Sequence, residues 1–138
     1  MLDEPQADLQ VSEEIPAFGL RHALELAHSS SQAMAVLWGG EFIVHFNDAC
    51  RDVIGDGHSM VAGRPAPVAW TELWQAAAHR VELASRGEAS TMTALRLEAS
   101  RAGRRDQSRY DVAFSPLAGE AAITAGVLCT FTESAANP

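Results

Sequence analysis

The spacing of apolar and polar residues divides the chain into a hairpin, a helical region and three long strands. Two short apolar stretches flank a Gly-Gly turn at 39–40 within residues 34–47, which predicts a β-hairpin. An Asn-Asp pair at 47–48 follows, and these residue types cap helices, so a short helix ended by Gly55 is expected. The Gly- and Pro-rich residues 55–70 then permit only single-turn helices.

Amphipathic helices are predicted before the hairpin and after the loop-rich segment. From Ala17 to Ser29, apolar residues recur at helical spacing and share one face. The second helix is predicted to begin at Thr71, its cap, and to end at Gly87. Its apolar face consists of Leu73, Ala77, Val81 and Ala84.

Three strands are predicted after the long helix. The first covers residues 89–97, and a turn over residues 100–107 leads to the second, residues 109–116, which alternates between apolar and polar positions. The last strand, within residues 122–133, is apolar on both faces, although an antiparallel strand with one wet face alternates strictly. We therefore expect the outer sheet face to be covered by the first helix or by a second subunit.

Several short sequence words occur in a fixed order, and this order carries a family resemblance. They are Trp38-Gly39, Asn47-Asp48, Gly63-Arg64-Pro65, the Trp70/Trp74 pair, Ser115-Pro116 and Thr132-Glu133. The chain resembles the PAS domains of bacterial sensor histidine kinases and related signalling proteins. The resemblance implies an α+β fold: a five-stranded antiparallel sheet with short helices and one longer helix on one face, to which the N-terminal amphipathic helix is added.

The predicted elements and the family resemblance divide the chain into four segments. Residues 1–16, acidic and without a basic residue, are predicted to form a flexible arm. Residues 17–31 form the N-terminal helix, which caps the sheet or contacts a second subunit. Residues 33–134 form the PAS-like domain, and residues 135–138 a tail. The family resemblance also implies an output or kinase domain, in the same protein or in a partner.

Charge and hydropathy limit the partners and the location. The net charge of −8 argues against nucleic acid as a partner, because phosphate neutralisation dominates such binding. No apolar run is long enough to span a membrane, and the N-terminus does not resemble a signal peptide, so a cytoplasmic location without membrane contact is expected. Cys50 and Cys129 have no metal-binding spacing and are expected to be a reduced pair.

The cofactor remains unknown from the sequence, and two candidates are disfavoured. Family members that respond to blue light carry a cysteine just after the loop glycine, whereas this chain has Gly63-Arg64-Pro65-Ala66 there. A flavin adduct is therefore not expected. Haem-binding members place a histidine on the long helix, but His79 is predicted to point away from its apolar face, so haem is not expected either.

A cavity, if the core contains one, would be lined by the predicted inward positions. These are Val44, Phe46, Trp74, Ala77, Val81, Tyr110, Val112, Phe114 and Leu128. The polar groups able to orient a ligand there would be Tyr110, Thr93 and His58. The mostly apolar lining favours an apolar or aromatic small ligand. For His58, a loop histidine held by local backbone is the favoured alternative.

A second set of apolar positions is predicted to form a homodimer interface, because one face of the first helix and one face of the last strand lack an assigned partner. These positions are Leu20, Leu24, Ala27, Val127, Cys129 and Phe131.

The resulting prediction is a sensory module of a bacterial two-component system that binds a small ligand or a partner and passes a conformational bias to an output domain. A ligand-free homodimerisation module is the alternative. An isomerase-type enzyme with a small α+β barrel is disfavoured, since a hairpin precedes the helices and Asp111 is predicted to face the wrong side of its strand. No catalytic motif such as GxSxG, a P-loop or HExxH occurs in the sequence either.

Overall fold

A computed structural model of the protein describes residues 18–119 and 124–135. The predicted acidic arm, residues 1–16, lies outside the described residues. The helices are α1 (Phe18–His28), α2 (Asp48–Ile54), α3 (Ala66–Ala69) and α4 (Thr71–Ser85), with a 3₁₀ turn at His58–Met60. The strands are β1 (Ala33–Trp38), β2 (Ile43–Phe46), β3 (Ser90–Arg101), β4 (Arg104–Ala118) and β5 (Thr124–Glu133).

The strands form one antiparallel sheet in the order β2-β1-β5-β4-β3, which confirms the predicted fold class. β5 therefore lies at the centre, between the first hairpin and the last one. The β3–β4 hairpin is longer than predicted, because the strands continue to a tight turn at Ala102 and Gly103, both with positive φ. Polar residues on the exposed hairpin concealed these strand ends from the apolar pattern.

Helices α2 to α4 cover the inner face of the sheet. The apolar face of α4 is buried as predicted, at Leu73, Ala77, Val81 and Ala84. The cap of this helix differs from the prediction, since the Thr71 hydroxyl donates to the Val68 carbonyl of α3 at 3.3 Å instead of capping α4. Phe114 and Val112 of β4 are completely buried beneath these helices. This packing forms the main core.

Helix α1 covers part of the outer face of the sheet, which is one of the two arrangements expected from the sequence. Leu20 and Ala23 pack on Val36 of β1, and Trp38 and Leu128 are partly buried beside them. Close packing of this layer depends on a glycine, because a Cβ at position 126 would lie 2.6 Å from a ring carbon of Trp38. The sheet is thus apolar on both faces at β1 and β5.

The two faces of β5 are the reverse of those the sequence predicted. Val127, Cys129 and Phe131 face the inner core and are at most 3% exposed, while Leu128 faces α1. The prediction of the first three as interface residues and of Leu128 as a pocket residue was wrong on this point. A strand that is apolar on both faces gives no internal signal of which face is which.

The buried Asn47 side chain connects three elements. Its Oδ1 accepts from the backbone N–H groups of Met34 and Cys50, both at 3.0 Å, and so caps α2. Its Nδ2 donates to the carbonyls of Ala27 and Gln32, both at 2.8 Å. The residue is 1% exposed. One amide therefore joins the end of α1, the start of β1 and the start of α2.

We expect Asn47→Ala to lower the free energy of unfolding by about 3 kcal/mol, because the cap is lost and buried carbonyls lose their donor. Asn47→Asp keeps the acceptor but places a carboxylate against the Ala27 and Gln32 carbonyls, so a loss of similar size is expected at pH 7. Urea unfolding measures both. The exposed Glu41→Gln should stay within about 0.5 kcal/mol of the wild type. Equal stability of Asn47→Ala and the control would contradict this role.

His45 of β2 lies opposite Val36 on the outer side of the sheet, away from the main core as predicted. Burial, and secondly the nearby His28, lower the pKa of His45 below its ordinary value of 6.5. The unfolded chain therefore binds a proton more readily than the folded chain as the pH falls below 6.5. Part of the folding stability is lost in that range.

We expect His45→Gln to reduce the loss of stability between pH 7 and pH 5, because the mutant has no proton to take up at this position. Urea unfolding at both pH values measures the difference. His79→Gln changes an exposed histidine of α4 and should leave the wild-type pH dependence in place. An unchanged pH dependence in His45→Gln would show that another group controls it.

Candidate ligand site

A cleft of about 520 Å³ lies on the inner side of the sheet, and we call it the acidic cleft. α2 forms one wall, and the start of β1, the end of β5 and the middle of β4 form the rest. The strand register explains the grouping, since Tyr110 lies opposite Glu133 and Phe131 opposite Ala33. The lining residues are Ser31, Ala33, Ala49, Asp52, Val53, Ser108, Tyr110, Phe131 and Glu133.

A second cleft of about 250 Å³ lies on the other side of Val53. Residues of α2, the 3₁₀ turn, α4 and β3 line it, among them Trp70, Leu73 and Leu97. An aromatic series connects the two clefts: the Phe131 ring centroid is 6.3 Å from that of Tyr110 and 5.8 Å from that of Trp70. The floor between the clefts is therefore closed by ring packing.

Most residues of the predicted pocket form the packed core instead of a cavity wall. Val44, Ala77, Val81, Val112 and Phe114 are at most 2% exposed and belong to one cluster. Tyr110 is the member of the predicted set that also lines the acidic cleft.

The remaining predicted pocket residues lie at the margins. Phe46 and Trp74 are half-buried at the edge of the core, and Thr93 is exposed at a bulge of β3. His58 is held by local backbone, with its Nδ1 3.1 Å from the Gly55 carbonyl oxygen, and its ring contacts Phe46 edge-on. His58 is thus a loop histidine held by local backbone, which is the alternative that the sequence favoured.

Sequence reasoning missed the polar residues of the acidic cleft. Ser108 shares the inward face of Tyr110 by its spacing of two, a signal that was present in the sequence. Asp52 and Glu133 come to the same cleft through the position of α2 and the β4–β5 register. Neither the position of α2 nor the β4–β5 register can be predicted from the pattern of a single strand or helix.

Both cysteines are free and buried in the main core. Burial raises the pKa of Cys50 to about 12, and burial together with Cys50 raises the pKa of Cys129. The loop that precedes α3, Gly63-Arg64-Pro65-Ala66, has no thiol. The residues present therefore do not fit a flavin–cysteinyl adduct, and no chemistry is derived through one.

Neither a metal-binding group nor a membrane-spanning helix occurs among the described residues. No group of three His, Cys, Asp or Glu side chains in residues 18–119 and 124–135 is placed to hold a metal ion. Among the helices in this part of the chain, none is both long enough and apolar enough to cross a membrane. His79, the residue considered for haem, is exposed on α4.

Comparison of the fold with solved structures finds light-oxygen-voltage (LOV) and PAS domains. The Rhodobacter sphaeroides LOV protein superposes with a TM-score of 0.62 at 15% identity, covering 86% of this chain and 68% of that one. The PAS domain of Bordetella pertussis BvgS gives 0.58 at 18% identity, covering 83% and 85%.

A third similar structure, an RNA-binding LOV receptor, gives a TM-score of 0.57 at 16% identity. The match covers 83% of this chain and 32% of the receptor chain. No protein-family model and no curated protein matches the sequence. The chain thus has the PAS fold, shared by PAS and LOV domains, as the sequence resemblance predicted.

We expect neither cysteine to react with iodoacetamide in the folded protein at pH 8, because both thiols are buried and protonated. Mass spectrometry after several hours should show the unmodified chain, and two additions per chain after denaturation in urea. The denatured sample is the control for reagent activity. Rapid modification of the folded protein would show that the core opens far more often than its packing implies.

Proposed function

We propose that the chain is the sensory module of a bacterial signalling protein of the two-component type, acting in the cytoplasm. In this proposal, a small ligand or a partner on the inner face changes the packing between helices and sheet. The change passes to α1 and the end of β5, and from there to an output or kinase domain, in the same protein or in a partner. The PAS fold supports the proposal by analogy of fold.

The observation that carries the proposal is the Asn47 connection. Because one side chain bonds to α2 and to the last turn of α1, a shift of α2 that keeps its cap must move or break the bond to Ala27. α2 is also a wall of the acidic cleft, through Ala49 and Val53. A ligand in this cleft and the outer helix therefore act on the same hydrogen-bonded group.

The size of such a signal has a thermodynamic limit. A ligand shifts the balance of two conformations by no more than the difference between its binding free energies to them. Hydrogen bonds of the kind that Asn47 makes contribute about 1 kcal/mol each. Breaking one or two of them is within the range that a small ligand supplies.

Homodimerisation through α1 is the second part of the proposal. Leu20, Ala23 and Ala27 face the sheet of their own chain, but Leu26 points outward and is 59% exposed. Leu24 is partly buried against the same cluster as Leu20, toward the sheet of its own chain. We propose that the exposed Leu26, and not the buried residues of β5, contacts a second copy. Dimerisation without a ligand remains the alternative function and has the same interface.

The native mass spectrum of the purified protein tests both parts. We expect a dimer at twice the chain mass of 14.7 kDa, and a retained ligand would appear as additional non-covalent mass. Leu26→Glu should give monomers, because it places a charge in the proposed interface. Val68→Glu is the matched control, since Val68 is 70% exposed on α3, and it should leave the dimer intact.

The outcomes separate the two functions. A wild-type monomer without added mass would contradict the proposed function. A dimer without added mass in the wild type and in Leu26→Glu alike would place the interface elsewhere. A dimer that Leu26→Glu abolishes, without added mass, would favour the ligand-free interaction module.

A further inference from the structure

We infer that the acidic cleft binds a small organic cation, with the ammonium group between the carboxylates at its rim and the hydrocarbon part on its aromatic floor. The inference rests on the proposed sensory function and names the chemical class of its ligand. Three independent features of the cleft support it: its charge, the unpaired hydroxyl of a buried tyrosine, and the composition of its floor.

The charge of the cleft is negative. Asp52 of α2 and Glu133 at the end of β5 both line it. Among the described residues that line the cleft, none is basic. Asp52 also interacts with another residue of the protein, so the test of charge is made at Glu133. An anionic ligand would be repelled, and a cation attracted, at this rim.

Tyr110 supplies a polar group that points to a ligand. The residue is 6% exposed, and its ring is fixed edge-on against Phe131. Among the described residues, its hydroxyl has no hydrogen-bond partner, yet it is not one of the fully enclosed polar atoms, so its remaining contact is with the cleft that Tyr110 lines. Buried tyrosine hydroxyls ordinarily have a partner. An ammonium N–H in the cleft would donate to this oxygen.

The floor of the cleft favours an ammonium group attached to an apolar body. Phe131 and Val53 are buried, and Ala33 and Ala49 are partly buried beside them. A volume of about 520 Å³ is within the range of small-molecule sites. Aromatic faces also attract cations, which adds to the effect of the carboxylates. Inorganic cations would leave this apolar surface unused.

The test compares three probes of similar shape and different charge: 2-phenylethylamine, 2-phenylethanol and 3-phenylpropionate. Titrations followed by ¹H–¹⁵N NMR at pH 7 report the affinity and the residues that contact each probe. We expect the amine to bind about tenfold more tightly than the alcohol, with shifts centred on α2, Tyr110 and Glu133, and the carboxylate not to bind. Added salt should weaken binding of the amine.

Variants of the cleft separate its parts. Tyr110→Phe removes the hydroxyl but keeps the ring, and we expect amine affinity to fall about fivefold, with alcohol affinity changing less. Glu133→Gln should reduce the preference of the cleft for the amine over the alcohol about threefold. Glu88→Gln changes an exposed carboxylate outside the cleft lining and should have no effect. Thermal unfolding of each variant confirms that it is folded.

Equal affinity for the amine and the alcohol would overturn the inference, as would shifts centred outside the cleft, or no saturable shift with any probe up to about 10 mM. These failures differ from a failure of the proposed function. Amine binding in the cleft without any change in amide exchange of α1 would support the site and contradict the signal route. Loss of the site would leave the result for Leu26→Glu unaffected.

Discussion

The amide of Asn47 is the interaction on which the arrangement of helices around the sheet depends. Its oxygen and its nitrogen each make two hydrogen bonds of 2.8–3.0 Å, and the residue is almost completely buried. Position 47 requires a side chain that donates two hydrogen bonds and accepts two more at a single oxygen, all in one plane. Aspartate, serine and threonine each meet only part of this requirement. The end of α1, the start of β1 and the cap of α2 are therefore positioned by one side chain.

The central strand β5 applies a second constraint. Its inner residues, such as Val127 and Phe131, complete the main core, while Leu128 supports α1 on the other face. A strand of this kind must be covered on both sides, because exposure of either face would leave apolar area in water. Helix α1 is thus part of the packed structure at β1 and β5, and one layer of strands separates it from the inner face.

The acidic cleft differs in character from the core beside it. The core is closed by aliphatic and aromatic packing around Phe114, whereas the cleft is open and carries Asp52 and Glu133. Tyr110 belongs to both the core cluster and the lining of the cleft. In the proposed function, a ligand would therefore act where core packing meets an open polar site.

The sequence by itself determined the order of the elements, the cap at Asn47, the apolar face of α4 and the α+β class, because each is encoded within a few residues of its own position. Tertiary structure decided the rest. Which face of β5 lies inward depends on register with β1 and β4, and the bonds from the Asn47 side chain to Ala27 and Gln32 depend on where α1 packs. The acidic cleft exists because residues from four separate elements converge, and no local pattern records such a convergence.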